Sequence, residues 1–322
     1  MFSSRTWACI SVAFTLVTSS AYSQDFPNRP IKIVVPYPAG GMPDRIARDV
    51  AEGLHQRLKQ PVIVENRSGA SGNIGFDYVA RQPADGYTLL LAPASNLTIQ
   101  PALFKSLSYN LATDFAPISL LAESPQVLIA NPNLPANSVR QLIEYSKKNP
   151  NKVNFGVTRG AFSHLAGAML QATSKADFTA IPYQGSNLAM NDLLAGQVQF
   201  MFYDVVSSYP FIKTGRVKPL AIAYKSRVPW LPNVPTMAEA GFPDIEAVSW
   251  YAMVTRSGTP KPVIELLSKE LGAIMQSPKI KKRYEDIGAF TIGGTPEQLA
   301  AFIKSETIKW TAVVKQAGIQ PS

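Results

Sequence analysis

The chain has 322 residues, of which 46% are hydrophobic and 16% charged, and its formal net charge is +9. This composition excludes a disordered chain, and 322 residues are enough for two lobes with sizeable cores. The basic residues are scattered and no nucleic-acid-binding pattern accompanies them, so the charge does not predict a nucleic-acid partner. The longest basic run, Lys279 to Arg283, is typical of the solvated face of a helix.

The first segment has the features of an export signal. Arg5 precedes a mostly apolar run from Trp7 to Val17, and Ala21-Tyr22-Ser23 offers small residues around a cleavage point. We therefore predict a signal peptide over 1–23, which contains Cys9, the only cysteine. The apolar run is shorter than the roughly 20 residues that a membrane-spanning helix requires. The mature chain is thus expected to be exported and free of thiols.

Strand and helix patterns alternate in the first part of the mature chain. Three β-rich runs, IKIVVPY, PVIVEN and YTLLLA, are separated by two helical patterns, PDRIARDVAEGLHQRL and GFDYVARQ. Apolar residues recur at helical spacing in the longer helix, at Ile46, Val50, Leu54 and Leu58. Because parallel strands need crossover helices, this order predicts a mostly parallel sheet covered on both faces.

Two segments are expected to connect this first lobe to a second one. PISLLAESPQVLIANP is too long and too polar in its middle for one ordinary strand, so we interpret it as a connection. A second α/β series follows, with helices in SVRQLIEYSKK, HLAGAMLQAT and NLAMNDLLAG and strands in KVNFGV, FTAIPY, VQFMFY and VKPLAIAY. EAVSWYAMVT predicts a strand that returns to the first lobe, where three helical patterns should pack. The predicted fold is therefore two α/β lobes joined by two hinge crossings, with lobe one at 24–123 and 247–322 and lobe two at 124–246.

Ligands of open α/β sheets bind at the carboxyl ends of the strands, so the loops there are the candidate site. In lobe one, the loop after the first strand contains Tyr37, Pro38, Ala39, Gly40 and Gly41 and leads into a helix. Its glycines permit close approach of the backbone, and N–H groups at a helix start favour an anion, so this loop is suited to a carboxylate.

Two further polar sites in lobe one have two interpretations each. Asp44 either complements the helix dipole or orients a water or a cationic ligand group. Ser95 and Asn96 form either a second part of the site or a simple turn. The glycine-rich element from Gly69 to Gly75 lacks dinucleotide-binding spacing and is interpreted as a structural turn.

Lobe two supplies the opposing loops. Thr158, Arg159, Ser163 and His164 precede or open a helix, where hydroxyls, backbone donors and a guanidinium suit a second anionic end. The alternative makes Ser163 a helix cap and leaves Arg159 in solvent. The loops after the next two strands add Tyr183, Gly185, Ser186 and Asp204, and the alternative for Asp204 is a cap before Val205.

The residues do not predict catalysis, a cofactor or a metal. Ser163 and His164 are neighbours at a helix start, no acid is placed to orient the histidine, and no G-x-S-x-G or S-x-x-K motif is present. His55, the only other histidine, falls toward the polar side of its helix, so the usual histidine-rich metal sites lack ligands. We expect a binding protein; the rival interpretation is an exported hydrolase that uses Ser163.

Long stretches of the chain resemble one known family. FPNRPIKIVVPYPAGGMPDRIAR, QPVIVENRSGASGNIG, PADGYTLL, IPYQGSNLAMNDLLAGQVQFMF, LPNVPTMAEAGFPDIEA and GGTPEQLAAFIKSE are similar to segments of the tripartite tricarboxylate transporter substrate-binding proteins, the Bug (TctC) family of periplasmic binding proteins. The resemblance extends over nearly the whole mature chain. It implies a type II periplasmic-binding-protein fold, a periplasmic location and capture of organic anions for a membrane permease.

The resemblance also implies which residues bind the ligand. Family binding residues correspond to the loop from Tyr37 to Gly41 with Asp44, where backbone groups and ordered water hold one carboxylate, and to Ser186 and Asp204. The loop before His164 departs from the family pattern, because it is one residue shorter and contains Arg159. This difference implies a changed anion preference, toward a diacid.

We therefore expect a monomeric protein that binds one small organic acid. The candidates are a dicarboxylate, an acidic amino acid or an aromatic acid. The expected partner is a set of permease subunits or, alternatively, a membrane sensor for which the protein is an adaptor.

Overall fold

The computed structural model describes residues 26–158, 160–183 and 185–316. The predicted signal peptide and Arg159 lie outside these residues. The strands are β1 (Ile31–Val35), β2 (Val62–Asn66), β3 (Thr88–Pro93), β4 (Phe115–Ala130), β5 (Asn154–Thr158), β6 (Thr179–Tyr183), β7 (Phe200–Asp204), β8 (Lys218–Ala223), β9 (Val248–Arg256) and β10 (Phe290–Thr291). The helices are α1 (Met42–Leu58), α2 (Asn73–Ala80), α3 (Ala94–Thr98), α4 (Gln100–Leu103), α5 (Leu111–Asp114), α6 (Val139–Lys148), α7 (Phe162–Ser174), α8 (Ser186–Ala195), α9 (Val205–Lys213), α10 (Lys261–Met275), α11 (Pro278–Glu285) and α12 (Pro296–Gln316).

Each lobe has a core of parallel strands, which the sequence predicted for lobe one. In lobe one, β1 lies between β2 and β3 and pairs with both in parallel. In lobe two, β5 pairs in parallel with β6 and with β7. The two antiparallel strands β9 and β4 lie between these parts, in the order β2-β1-β3-β9-β4-β7-β5-β6. The molecule therefore consists of two α/β lobes joined by two crossing strands.

The first crossing corrects the expectation of an interrupted connection. β4 is one continuous strand of 16 residues. It pairs with β9 from Phe115 to Pro125 and with β7 and β8 from Gln126 to Ala130. The polar middle is accommodated because partners change there: Glu123 accepts a hydrogen bond from the Tyr224 hydroxyl. A single strand thus passes from one lobe to the other.

Helix α9 is a second correction, because the sequence pattern assigned no helix between the strands VQFMFY and VKPLAIAY. The segment contains Pro210, which normally disfavours a helix interior, and two serines at 207 and 208. Ser208 is fully buried, and its hydroxyl donates to the Asp204 carbonyl at 2.9 Å. Burial of this face stabilises a helix that local propensity alone does not predict.

The helices cover the sheet with the apolar faces that the sequence predicts. Ile46, Val50 and Leu54 of α1 are fully buried, whereas Leu58 is half-buried. α1 packs on β1, β2 and α10. Burial of one Leu or Ile side chain contributes about 1.5–3 kcal/mol, so this stripe fixes α1 and the loop that precedes it.

The last helix contacts both lobes. α12 packs against α3 and α4 of lobe one and against α7 of lobe two. The buried Trp310 ring meets Phe162 edge-on, with 4.9 Å between ring centroids, and Lys309 Nζ donates to the Glu246 carbonyl at 3.0 Å. Within the described residues, no helix is long and apolar enough to cross a membrane.

Candidate functional site

A cavity of about 470 Å³ lies between the lobes, where the carboxyl ends of β1, β3 and β7 approach the two crossing strands. Its walls come from both lobes. They are formed by Tyr37, Pro38, Ala39, Gly41, Pro43, Pro93, Ala94, Ser95, Gln126, Ala161, Phe162, Ser163, Ser186, Tyr203, Asp204, Ser249, Trp250 and Tyr251. This volume suits a small organic molecule.

Four helices of nine or more residues begin at this cavity. α1 starts after Gly41, α7 after Ala161, α8 after Gly185 and α9 after Asp204, and in none of them does the N-cap side chain accept a hydrogen bond from the helix. Away from the cavity, the Ser138 hydroxyl caps α6, whereas α2, α10 and α11 also lack a side-chain cap. The first N–H groups of a helix lack partners within it, and the helix dipole adds a partial positive charge. The cavity therefore presents backbone donors to an anion.

The loop after β1 is held from behind by side chains that do not reach the cavity wall. Asn66 Nδ2 donates to the Tyr37 carbonyl at 3.1 Å, and the Tyr37 hydroxyl donates to Asn96 Oδ1 at 3.0 Å. Asn96 is fully buried, and its Nδ2 donates to the Ser71 carbonyl at 2.9 Å. Gly40 has φ of +92°, a conformation that favours glycine. The loop is thus preorganised by its own lobe.

Asp44 belongs to the same support. Its carboxylate accepts hydrogen bonds from the Gly40 N–H at 3.0 Å, from Asn66 Nδ2 at 3.0 Å and from the Arg48 guanidinium at 2.9 and 3.0 Å. The hydrogen bonds from Arg48, followed by those from Gly40 and Asn66, lower the pKa of Asp44 to about 2, against an opposing effect of burial. Asp44 is 4% exposed and does not line the cavity, so its geometry is that of a residue that positions the loop.

Three lobe-two hydroxyl groups lie on the opposite wall. Ser163 and Ser186 occupy the first turns of α7 and α8, and Tyr203 is the penultimate residue of β7. Tyr203 donates its hydroxyl to Asn187 Oδ1 at 2.7 Å. The helix-cap alternative for Ser163 is wrong, because the N-cap of α7 is Ala161 and no side chain caps it.

Asp204 is the acidic residue of the cavity wall. It occupies the N-cap position of α9, but its side chain does not cap that helix. Instead, the Ser249 hydroxyl donates to Asp204 Oδ2 at 3.1 Å, and Gln126 Nε2 donates to the Ser249 hydroxyl at 3.1 Å. Burial raises the pKa of Asp204 above its usual value, although hydrogen bonds to the carboxylate oppose this effect. The cap alternative for Asp204 is therefore wrong as well.

Several residues predicted for the site do not line the cavity. The Tyr183 hydroxyl donates to Asp192 Oδ2 at 2.6 Å, and burial, together with this bond, raises the pKa of Tyr183 to about 12. The Gly160 N–H donates to His164 Nδ1 at 3.3 Å. The remaining residues placed off the wall are Gly40, Asp44, Asn96, Thr158 and Gly185. Thr158 Oγ1 lies 3.1 Å from the Ser186 hydroxyl, so it contacts the wall from behind.

The loop-based prediction missed the crossing strands. Gln126 of β4 and Ser249, Trp250 and Tyr251 of β9 line the cavity although no loop contains them. Their signal was the occurrence of polar residues inside two otherwise apolar strands. The other lining residues that the prediction missed are Pro43, Pro93, Ala94, Ala161 and Phe162. Among the residues that the structure describes, no group of His, Cys, Asp and Glu is placed to hold a metal ion.

Comparison with known proteins places these features in context. A family model described as tripartite tricarboxylate transporter family receptor (TctC) matches residues 46–319. The solved periplasmic binding protein BugD is 39% identical, with a TM-score of 0.79 over 92% of this chain and 100% of its own. The R. palustris protein Rpa4515 with adipate is 34% identical, with a TM-score of 0.83 and the same coverage. MatC from Rhodopseudomonas palustris with bound malate is 31% identical, with a TM-score of 0.77 over 90% of this chain and 100% of its own.

Proposed function

We propose a function from one premise: this chain belongs to the tripartite tricarboxylate transporter receptor (TctC) family. Its fold is the two-lobe, type II fold of periplasmic binding proteins. The protein captures a small organic carboxylate between its lobes and delivers it to a membrane transporter of the tripartite tricarboxylate class. It does so outside the cytoplasm and as a monomer.

The convergence of four uncapped helix starts on one cavity carries this proposal. α1 brings its donors from lobe one, whereas α7, α8 and α9 bring theirs from lobe two. A carboxylate first docks at the loop before α1, and contacts from lobe two then stabilise the closed form. A ligand shifts that equilibrium only through its higher affinity for the closed form, so contacts from both lobes are required. The bound adipate and malate of two relatives support a carboxylate as the ligand.

The loops held by Asp44 and Asn96 act as a preorganised half of the site. Tyr37, Pro38, Ala39, Gly41 and Ser95 face the first carboxylate, whereas Ser163, Ser186 and Asp204 face the other end of the ligand. A sensor adaptor would use the same residues, and the closed surface would then be recognised by a sensor domain instead of a permease. Hydrolysis by Ser163 is less well supported, because His164 Nδ1 is engaged by the Gly160 N–H.

Substitution of Ala161 tests the role of the helix donors directly. Ala161→Asp adds a side-chain cap to α7, which should raise the stability of the ligand-free protein by about 0.5–2 kcal/mol. The same cap occupies the N–H groups proposed for the ligand, so carboxylate affinity should fall at least tenfold. Ala161→Ser caps without adding charge and separates donor occupancy from repulsion.

The measurement is a thermal-shift and calorimetric screen of small carboxylates on refolded, ligand-stripped protein. A bound ligand raises the melting temperature by mass action. Pro260→Asp is the matched control, because Pro260 is the uncapped N-cap of α10 and lies away from the cavity. It should leave affinity unchanged. If no carboxylate raises the melting temperature, or Ala161→Asp binds as tightly as wild type, the proposed function is wrong.

A further inference from the structure

The carboxyl group of Asp204 lies among polar but uncharged side chains of the described residues. It ends β7 on the wall of the cavity, burial is the main influence that raises its pKa, and among the described residues no basic side chain contributes to this shift. Three acids elsewhere in the described residues are paired with a cation, Asp44 with Arg48, Asp49 with Arg283 and Asp114 with Arg256, whereas buried Glu123 accepts a hydrogen bond from the Tyr224 hydroxyl. A buried carboxylate without a cation is unfavourable unless hydrogen-bond donors surround it.

The protein itself supplies only part of those donors. Ser249 of β9 donates to Oδ2 of Asp204, Gln126 of β4 donates to Ser249, and Ser124 and Gln126 also interact with the carboxylate, so the two crossing strands supply three polar partners and fix its orientation. An ionised carboxylate offers about four acceptor sites on two oxygens. Tyr203, its neighbour on the wall, directs its hydroxyl to Asn187. Acceptor capacity therefore remains at a side chain that borders the cavity.

A ligand with two carboxylates would place like charges together at this position. Two close carboxylates cannot both remain ionised without cost, so one must take up a proton or the ligand must bind more weakly. A ligand whose second end carries an ammonium or hydroxyl group would instead donate to Asp204. Charge-assisted bonds of this kind are about twice as strong as neutral ones.

We propose that Asp204, oriented by Ser249 and Gln126, selects carboxylates whose other end donates a hydrogen bond, ahead of fully ionised dicarboxylates. This inference rests on the proposed function, because it assumes that the first carboxylate binds at the loop before α1. It replaces the expectation of a diacid that the sequence drew from Arg159.

The test uses ligands of equal length that differ only at one end. At each of three chain lengths, calorimetry at pH 8 compares the ω-amino acid, the dicarboxylate and the simple monocarboxylate: 4-aminobutyrate, succinate and butyrate; 5-aminovalerate, glutarate and valerate; 6-aminohexanoate, adipate and hexanoate. Wild type should bind the ω-amino acid at least tenfold more tightly than the dicarboxylate at the length that fits best. Asp204→Asn keeps the shape, removes the charge and should reduce that ratio at least tenfold.

Two further variants serve as controls. Asp177→Asn makes the same change at a half-buried lobe-two residue that accepts from the Asn151 N–H and does not line the cavity, and it should leave the ratio unchanged. Arg159→Gln tests the competing residue. The wild-type ranking decides the matter even if Asp204→Asn does not fold.

The results that would overturn this inference differ from the result that would overturn the proposed function. A dicarboxylate preference in wild type at pH 8 overturns the inference while carboxylate capture stands. The same holds if the affinity ratio of ω-amino acid to dicarboxylate changes in Arg159→Gln but not in Asp204→Asn. Binding of other carboxylates but of none in the series also overturns it. Only the absence of any carboxylate ligand would remove the proposed function itself.

Discussion

Asp44 shows how one residue can serve the cavity without reaching it. Its carboxylate joins Gly40, Arg48 and Asn66 and so holds the loop that carries Tyr37. The resemblance to the family assigned Asp44 to the binding residues, and the hydrogen bonds explain how it would act through the backbone. A sequence cannot separate these roles, because an acid in the first turn of a helix satisfies both.

Asp44→Asn should destabilise the protein by about 2 kcal/mol at neutral pH, because the folded state lowers the pKa of this carboxyl from 3.8 to about 2. The sign follows from the depressed pKa: the contribution is complete above about pH 4 and is lost as the pH falls toward 2. Urea unfolding of wild type and variant from pH 7 to pH 3 measures the difference, which should shrink with acid. Asp244→Asn, at an exposed position, is the control. A difference that does not depend on pH would contradict the assignment.

At the scale of elements, packing between α1 and α10 fixes the helix that follows the loop after β1. Gly53 of α1 lies against Ile274 of α10, and a Cβ at Gly53 would come within 2.7 Å of that side chain. Gly272, in the same helix as Ile274, has no atom within 4 Å of such a Cβ. Close packing therefore favours glycine at position 53, whereas position 272 has room for a larger residue.

Gly53→Ala should destabilise the protein by about 1–2 kcal/mol, because overpacking outweighs the gain in helix propensity. Gly272→Ala should instead stabilise it by about 0.5–1 kcal/mol. Denaturant unfolding measures both. Combining Gly53→Ala with Ile274→Ala should cost less than the sum of the two single changes, since the smaller side chain relieves the clash. Simple additivity would show that the contact is not the cause.

The elements also show what the sequence could predict. Apolar periodicity located the βαβ order of both lobes, and strand-to-loop transitions located Tyr37, Ser95, Ser163, Ser186 and Asp204 on one cavity. Periodicity did not predict β4 as one strand, because its polar middle is satisfied only by long-range partners such as Tyr224. It missed Gln126, Ser249 and Tyr251 for the same reason: their position on the wall depends on how two distant strands cross.

At the scale of the whole molecule, the lobes are joined by more than the two crossings. α12 packs on α3 and α7, both of which begin at the cavity, and Trp310 contacts Phe162, a residue of the wall. Movement of one lobe against the other must therefore either carry α12 along or change this ring contact. Domain boundaries at 123/124 and 246/247 remain a proposal, since β4 continues through the first of them.

Ligand binding should make the protein more compact. We expect the radius of gyration from small-angle X-ray scattering to fall when a saturating carboxylate is added to ligand-stripped protein, because contacts from both lobes favour the closed form. Ala161→Asp at the same ligand concentration should not contract. An unchanged radius in wild type under conditions where calorimetry shows saturation would exclude closure as the response to the ligand.

The uncapped helix starts have a consequence for how such receptors diversify. An amide proton is present whatever the side chain, so substitutions around the cleft leave the means of holding an acid group intact. Substitution of the side chains that contact the remainder of the ligand can therefore change which nutrient is bound while the backbone donors for its acid group are kept.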